Sequence, residues 1–289
     1  MIYSVNHVTR YTYGATVELT TGVLRLKPVS RDGQVLELFA LETDPPCAPP
    51  LERIDPFGNA VLSLRIEKPH RELIVRASSR VRVERPSVLE MSPSWETVAA
   101  GALSVPSLAS DSPAVGLYPS RAVPLFDEGT AYARESFAAG RPICEAAMDL
   151  ARRIRADFVY DAEATEVNTP AYVAFENRRG VCQDFAHIMI AALRGLGLPA
   201  LYVSGYIRTT PPPGKRRLAG ADASHAWVSL WCGAAMGWMD FDPTNALAVQ
   251  NDHVEVARGR DYSDASPIES MVLSSGSHQL KVEVDVIPI

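Results

Sequence analysis

The chain lacks several marks that would assign it early. Its four cysteines, Cys47, Cys144, Cys182 and Cys232, form no Cys-x-x-Cys pair and no His/Cys cluster at zinc spacing. A zinc module is therefore not expected. There is no His-Glu-x-x-His or comparable cluster, so a metal-dependent hydrolase is disfavoured and neither a metal nor a cofactor is expected. No apolar run approaches the ~20 residues of a membrane span. The opening Met1-Ile-Tyr-Ser-Val-Asn-His-Val-Thr-Arg-Tyr11 has no basic segment leading into an apolar one, so no signal peptide is expected. These absences point to a cytoplasmic protein with reduced thiols. The formal net charge is −6, and the longest basic run is Lys215-Arg216-Arg217 in a proline-glycine loop. That balance argues against a nucleic acid or an anionic membrane as partner. No internal repeat is visible.

What remains is ordinary globular composition, 47% hydrophobic and 21% charged over 289 residues, enough for two domains. Residues 1–85 read as an all-β domain. Val5, His7, Thr9, Tyr11 and Tyr13 alternate with their neighbours, and further strands are expected at Gly22–Pro28, Gln34–Leu41, Asn59–Ile66 and Glu72–Glu84. Asp55-Pro-Phe-Gly-Asn59 reads as a tight turn. Regular strands separated by turns suggest a sandwich or barrel. Residues 86–125 carry Pro86, Pro93, Pro106, Pro113, Pro119 and Pro124 and read as an irregular linker with a short helix near Trp95–Leu103. Residues 126–289 read as a core of mixed helix and strand. One helix runs from Asp127 or Thr130 to about Ala139, and a second runs from Cys144 to Asp157. Strands follow at Ala200–Ile207, His225–Cys232 and Gly237–Asp242, with a final one at Gln279–Ile289.

Cys182 stands out within that core. Gly180 and Val181 precede it, and an apolar helix begins at it: Phe185, Ala186, Ile188, Met189, Ile190, Ala191, Ala192, Leu193. A helix apolar on nearly all sides is a central one. A thiol at its start meets the positive end of the dipole and free backbone N–H groups, which favour thiolate. A thiolate nucleophile needs a base, and the base needs a group to orient it. His225, Trp227 and Ser229 share one face of a strand; Trp238, Asp240 and Asp242 share one face of the next. Neighbouring antiparallel strands bring facing side chains to about 5 Å, so His225 can meet Asp240 or Asp242.

Here the chain resembles the bacterial transglutaminase-like proteins, also described as cysteine proteases, of the papain-like transglutaminase-core superfamily. Gly180-Val-Cys-Gln-Asp-Phe-Ala186, Leu198-Pro199, Tyr202-Val-Ser-Gly-Tyr206, His225-Ala-Trp227 and Phe241-Asp-Pro-Thr-Asn245 carry that resemblance. His7-x-Thr-x-Tyr-x-Tyr13, Leu24-x-Leu-x-Pro28, Gln34 and Asp55-Pro-Phe-Gly-Asn59 are similar to the β domain that precedes this core in one bacterial branch. The resemblance implies an α+β protein: an N-terminal all-β domain, then a papain-like core with a central helix packed on an antiparallel sheet. It implies Cys182 as nucleophile, His225 as general base and then acid, and Asp242, at the Asp-Pro-Thr position, as the orienting acid with Asp240 as fallback. Animal transglutaminases typically read Gly-Gln-Cys-Trp; this chain has Val181 and Gln183 around the cysteine.

The expected reaction is hydrolysis of a peptide or protein amide through a thioester on Cys182. Transfer of the acyl group to an amine is the alternative reaction, and a non-catalytic binding module on the same fold is the alternative role. Gln183, Trp227 and Trp238 are candidate substrate contacts, the tryptophans equally suited to packing the sheet. Asp184 suits the helix dipole. His7, His70 and His187 read as structural histidines, Cys144 as a core thiol, and Arg178 and Arg179 as solvated.

Overall fold

The computed structural model describes residues 1–85, 92–107, 109–209 and 223–289. From residue 210 on, the polar loop of Thr209 to Asp222 lies outside the described residues.

Alternation builds the N-terminal region. Ile2–Val17 (β1) buries Tyr3, Val5, His7 and Thr9 on one face. Leu19–Leu24 (β2), Gln34–Asp44 (β3), Glu52–Ile54 (β4), Ala60–Ile66 (β5) and His70–Val83 (β6) follow. The turn between β4 and β5 is Asp55-Pro-Phe-Gly-Asn59. Gly58 takes a φ of +77° there, and Asp55 Oδ1 accepts the backbone N–H groups of Phe57 and Asn59.

Trp95–Ala102 (α1) is the short helix of the proline-rich stretch. Asp127–Arg134 (α2), Ile143–Asp157 (α3), Val159–Tyr160 (β7), Ala171–Asn177 (α4), Arg179–Gly180 (β8) and Cys182–Gly195 (α5) form the helical layer. α2 stops at Arg134, short of the expected Ala139. Side chains meet the groups that further turns would have used: Arg153 donates to the Tyr132 carbonyl and the Ser136 hydroxyl, and Arg141 donates to the Ser136 carbonyl. Every residue of α5 from Asp184 to Arg194 is buried, as its apolar surface requires.

Ala200–Ile207 (β9), Ala223–Trp231 (β10), Trp238–Asp242 (β11), Leu247–Ala248 (β12), His253–Gly259 (β13), Tyr262–Ala265 (α6), Ile268–Leu273 (β14) and His278–Pro288 (β15) complete the chain. Five strands make an antiparallel sheet in the order β12-β11-β10-β9-β13, and α5 packs on β9 and β10. This is the papain-like core of an α+β protein.

Two four-stranded sheets, β15-β1-β6-β3 and β14-β2-β5-β4, make the β domain. Its composition corrects the expected boundaries. β14 and β15 do not join the core sheet that precedes them. β15 pairs with β1 from Tyr3↔Pro288 to Tyr13↔His278, and β14 pairs with β2. The apolar face of β15 supplies the reason: Val286 and Val284 stand opposite Val5 and His7, extending the face that β1 already buries. Both valines enter a cluster with Tyr3, Val5, Val81 and Val83 from the β domain and Tyr206, Val254 and Val256 from the core. The end of the chain thus welds the two units together.

Val286→Ala is expected to cost about 2 kcal/mol in urea denaturation, from the two lost methyl groups and the cavity they leave. Lys281→Ala, on the exposed face of the same strand, is expected to stay within about 0.5 kcal/mol.

Candidate active site

The start of α5 is built by a folded-back carboxylate. Val181 is extended and precedes the first helical residue, Cys182. Asp184 Oδ2 accepts the Val181 N–H at 2.8 Å and the Thr165 hydroxyl at 2.6 Å. Burial pushes the Asp184 carboxyl up, opposed by these two hydrogen bonds. The carboxylate lies directly over Gly180, where a Cβ would meet Asp184 Oδ2 at 2.6 Å. Gly180 is thus needed for close approach and not for a positive φ. The two-residue parallel pairing of β7 with β8 fixes the approach to the helix. Arg178, at φ +52°, makes the preceding turn and lays its guanidinium over Phe175, Phe158 and Tyr132.

β10 and β11 form the expected hairpin, with Ser229 opposite Asp240 and Val228 opposite Phe241. His225 lies further along β10, and its Nε2 is 2.8 Å from Asp242 Oδ2. Cys182 and His225 both line one cleft. Burial alone pushes the imidazole down; the bond to Asp242 and the nearness of the Cys182 side chain outweigh it and bring the pKa up to about 9.

Asp242 has no solvent exposure. Its Oδ2 faces His225, accepts from Asn245 Nδ2 at 2.7 Å and lies 3.1 Å from His253 Nε2; its Oδ1 accepts the backbone N–H groups of Thr244 and Asn245. Burial pushes this carboxyl up, but the hydrogen bonds from His225, His253 and Asn245 hold it well below the usual carboxylate range.

His253 had no signal in the sequence. It sits on β13, which reaches the site only because β13 pairs with β9 on the side away from β10. His225, Asp242 and His253 are also the one group of ligand-type side chains among the described residues whose donor atoms converge, within 4.8 Å of one another. Both Nε2 atoms lie at hydrogen-bond distance from the same carboxylate oxygen, which is the arrangement of two N–H donors on one acceptor.

The candidate substrate contacts separate. Gln183 lines the cleft in front of Cys182, its amide donating to the Val167 carbonyl at 2.9 Å. Trp227 does not line it. That ring is fully buried, donates to Asp240 Oδ2 at 3.1 Å, and packs edge-on to His253 with centroids 5.2 Å apart. It covers Gly205, where a Cβ would come within 2.4 Å of the ring. Trp238 donates to the Asp111 carbonyl and lines a different cavity, beside Arg85 and Arg258. Asp240 is held by Trp227 and Arg85. His187 Nε2 accepts the Tyr262 N–H, and burial pushes its pKa down to about 4. Cys144 and Cys232 are buried with their sulfurs 3.7 Å apart, and all four cysteines are free.

The cleft holds about 330 Å³. Cys182 and His225 lie on one side of it, and Thr9, Tyr11, Leu280 and Val282 of the β domain lie on the other.

Comparison with known proteins agrees with this architecture. Residues 3–82 match the bacterial transglutaminase-like N-terminal region, and residues 130–243 match the transglutaminase-like superfamily. An uncharacterized protein of Mycobacterium tuberculosis is 36% identical over 295 residues, covering 99% of this chain and 92% of the relative. The chain belongs to the transglutaminase-like superfamily. A crystal structure from Cytophaga hutchinsonii, described as a "putative cysteine protease", superposes on this superfamily member with a TM-score of 0.73 at 20% identity, covering 100% of this chain and 91% of that one. A protein-glutamine gamma-glutamyltransferase of Pseudomonas aeruginosa is 37% identical over 75 residues, 26% of this chain and 11% of that protein. No helix among the described residues is long and apolar enough to cross a membrane.

Because the folded pKa of His225 exceeds the unfolded value of about 6.5, its contribution to stability is complete below pH ~6.5 and is lost as pH rises through about 9. NMR titration of the His225 ring is expected to give a midpoint near 9. In Asp242→Asn that midpoint is expected to fall, and the stability difference between pH 6 and pH 10 to shrink with it.

Proposed function

We propose that this protein is a cysteine-dependent amide or isopeptide hydrolase working through a thioester on Cys182. The observation that carries the reading is that His225, bonded to the buried Asp242, shares a cleft with Cys182 at the N-terminus of a buried helix. In this reading the Cys182 thiolate attacks the amide carbon, forming the C–S bond. Negative charge develops on the carbonyl oxygen. The backbone N–H of Cys182, in the first helical turn where no intrahelical acceptor exists, is placed to stabilise it. The C–N bond then breaks, and His225 gives its proton to the departing amine. Water, deprotonated by His225, attacks the thioester and releases the carboxylic acid and the thiol. Asp242 keeps the ring oriented and favours its charged form throughout.

Peptide or protein amides are the proposed substrates, and a cytoplasmic setting suits a thiol that must stay reduced. A second reading, transfer of the acyl group to an amine in place of water, is favoured by the match to the P. aeruginosa glutamyltransferase. A non-catalytic binding module is disfavoured, because binding alone gives no reason to bury a charged carboxylate behind a histidine and a half-exposed thiol.

Iodoacetamide near neutral pH is expected to label Cys182 well ahead of Cys144 and Cys232 by intact-mass analysis, with Cys47 as the partly exposed reference. Equal labelling of all four sinks the activated thiolate. Cys182→Ala is expected to lower kcat on a cleaved amide by at least ~10³. The kcat/KM of the unmodified enzyme is expected to fall as pH rises through about 9, where His225 loses the proton it must deliver. A fluorescent amine competing with water reports hydrolysis against transfer.

A further inference from the structure

The cleft in front of Cys182 is shaped by both domains. Tyr11 comes from β1, Leu280 and Val282 from β15, and Tyr262, Pro267 and Ile268 from the segment that crosses between the units. Strand pairing sets the wall: Tyr11 stands opposite Leu280 and Thr9 opposite Val282. Further along the same face, Val5 with Val286 and His7 with Val284 are sealed into the junction between the domains. The face therefore passes from buried core to open cleft without a break. Leu280 remains 55% exposed and Val282 43% exposed at its open end.

No Asp, Glu, Lys or Arg is among the described residues lining this cleft. Its one histidine on the β-domain side, His7, bonds Thr9 and Tyr206, and burial lowers its pKa to about 4. It is uncharged at neutral pH. A charged side chain lying against this wall would give up water and, apart from the Cys182–His225 pair itself, find no counter-charge among the described residues. An apolar or aromatic one would cover Tyr11, Leu280 and Val282 while covering itself. The cleft volume sits at the small end of the ~300–1,000 Å³ typical of ligand pockets, a size for one or two side chains.

We propose that this wall selects the substrate: the residue adjoining the reacting amide carries an uncharged apolar or aromatic side chain, and the β domain, through β1 and β15, is the specificity determinant. The inference rests on Cys182 being the nucleophile.

Dipeptidyl chloromethyl ketones test it without requiring turnover, since alkylation of the thiolate expels chloride and forms a stable thioether. Probes with Phe or Leu beside the reactive carbon are expected to modify Cys182 about tenfold to a hundredfold faster than those with Asp or Lys. Leu280→Lys is expected to erase most of that advantage and to favour the Asp probe, while Lys281→Ala, on the opposite face of β15, leaves it intact. Thermal melting and the iodoacetamide rate at Cys182 check that each variant is folded and its thiol still reactive. Equal rates for all probes, faster reaction with charged probes, or no peptide probe reacting while iodoacetamide does would each overturn the inference. An inert Cys182 towards iodoacetamide would instead overturn the proposed function on which it rests.

Discussion

A carboxylate with no solvent exposure needs its charge met inside the protein, and Asp242 meets that need with donors from several parts of the chain. Thr244 and Asn245 supply backbone N–H groups from the turn that follows it, and Asn245 adds its side-chain amide. His225 comes from the neighbouring strand and His253 from the far edge of the same sheet. Removing any one of these leaves a buried charge less well satisfied, which is costly in a low-dielectric interior. The five-stranded sheet is thus also the frame of the site. The glycine at position 205 belongs to that frame, because it lets the Trp227 ring lie across β9 and brace both imidazoles.

The second constraint is how α5 meets that frame. Its start is set by Asp184, which folds back over Gly180 to hold the Val181 N–H. Cys182 therefore enters at the first helical residue, half-buried, with His225 across from it. The apolar surface of the rest of the helix drives it between β9 and β10 on one side and the other helices on the other. Placement of the thiol is a consequence of burying that helix.

The β domain is part of the same arrangement. Its two sheets are closed by strands from the opposite end of the chain, and the resulting face covers the mouth of the cleft. Non-local pairing of this kind makes the domain and the core interdependent. His7, a strand histidine near the N-terminus, hydrogen-bonds Tyr206 of the core sheet across the junction.

Much was legible in the residues themselves. The alternation from Val5 to Tyr13, the turn at Asp55–Asn59, the buried helix after Gly180 and the hairpin linking His225 to Asp242 all follow from local periodicity and turn chemistry, which act over a few residues. The partner strand of β1, the entry of His253 and the separation of Trp227 and Trp238 from the cleft were not legible. Each depends on which strand lies beside which, and hydrogen bonds between strand edges carry no address in the sequence of either strand. Local pattern determined where a thiol, an imidazole and a carboxylate would stand along their elements. Tertiary structure decided what surrounds them, because burial of Asp242 and closure of the cleft draw on residues from both ends of the chain.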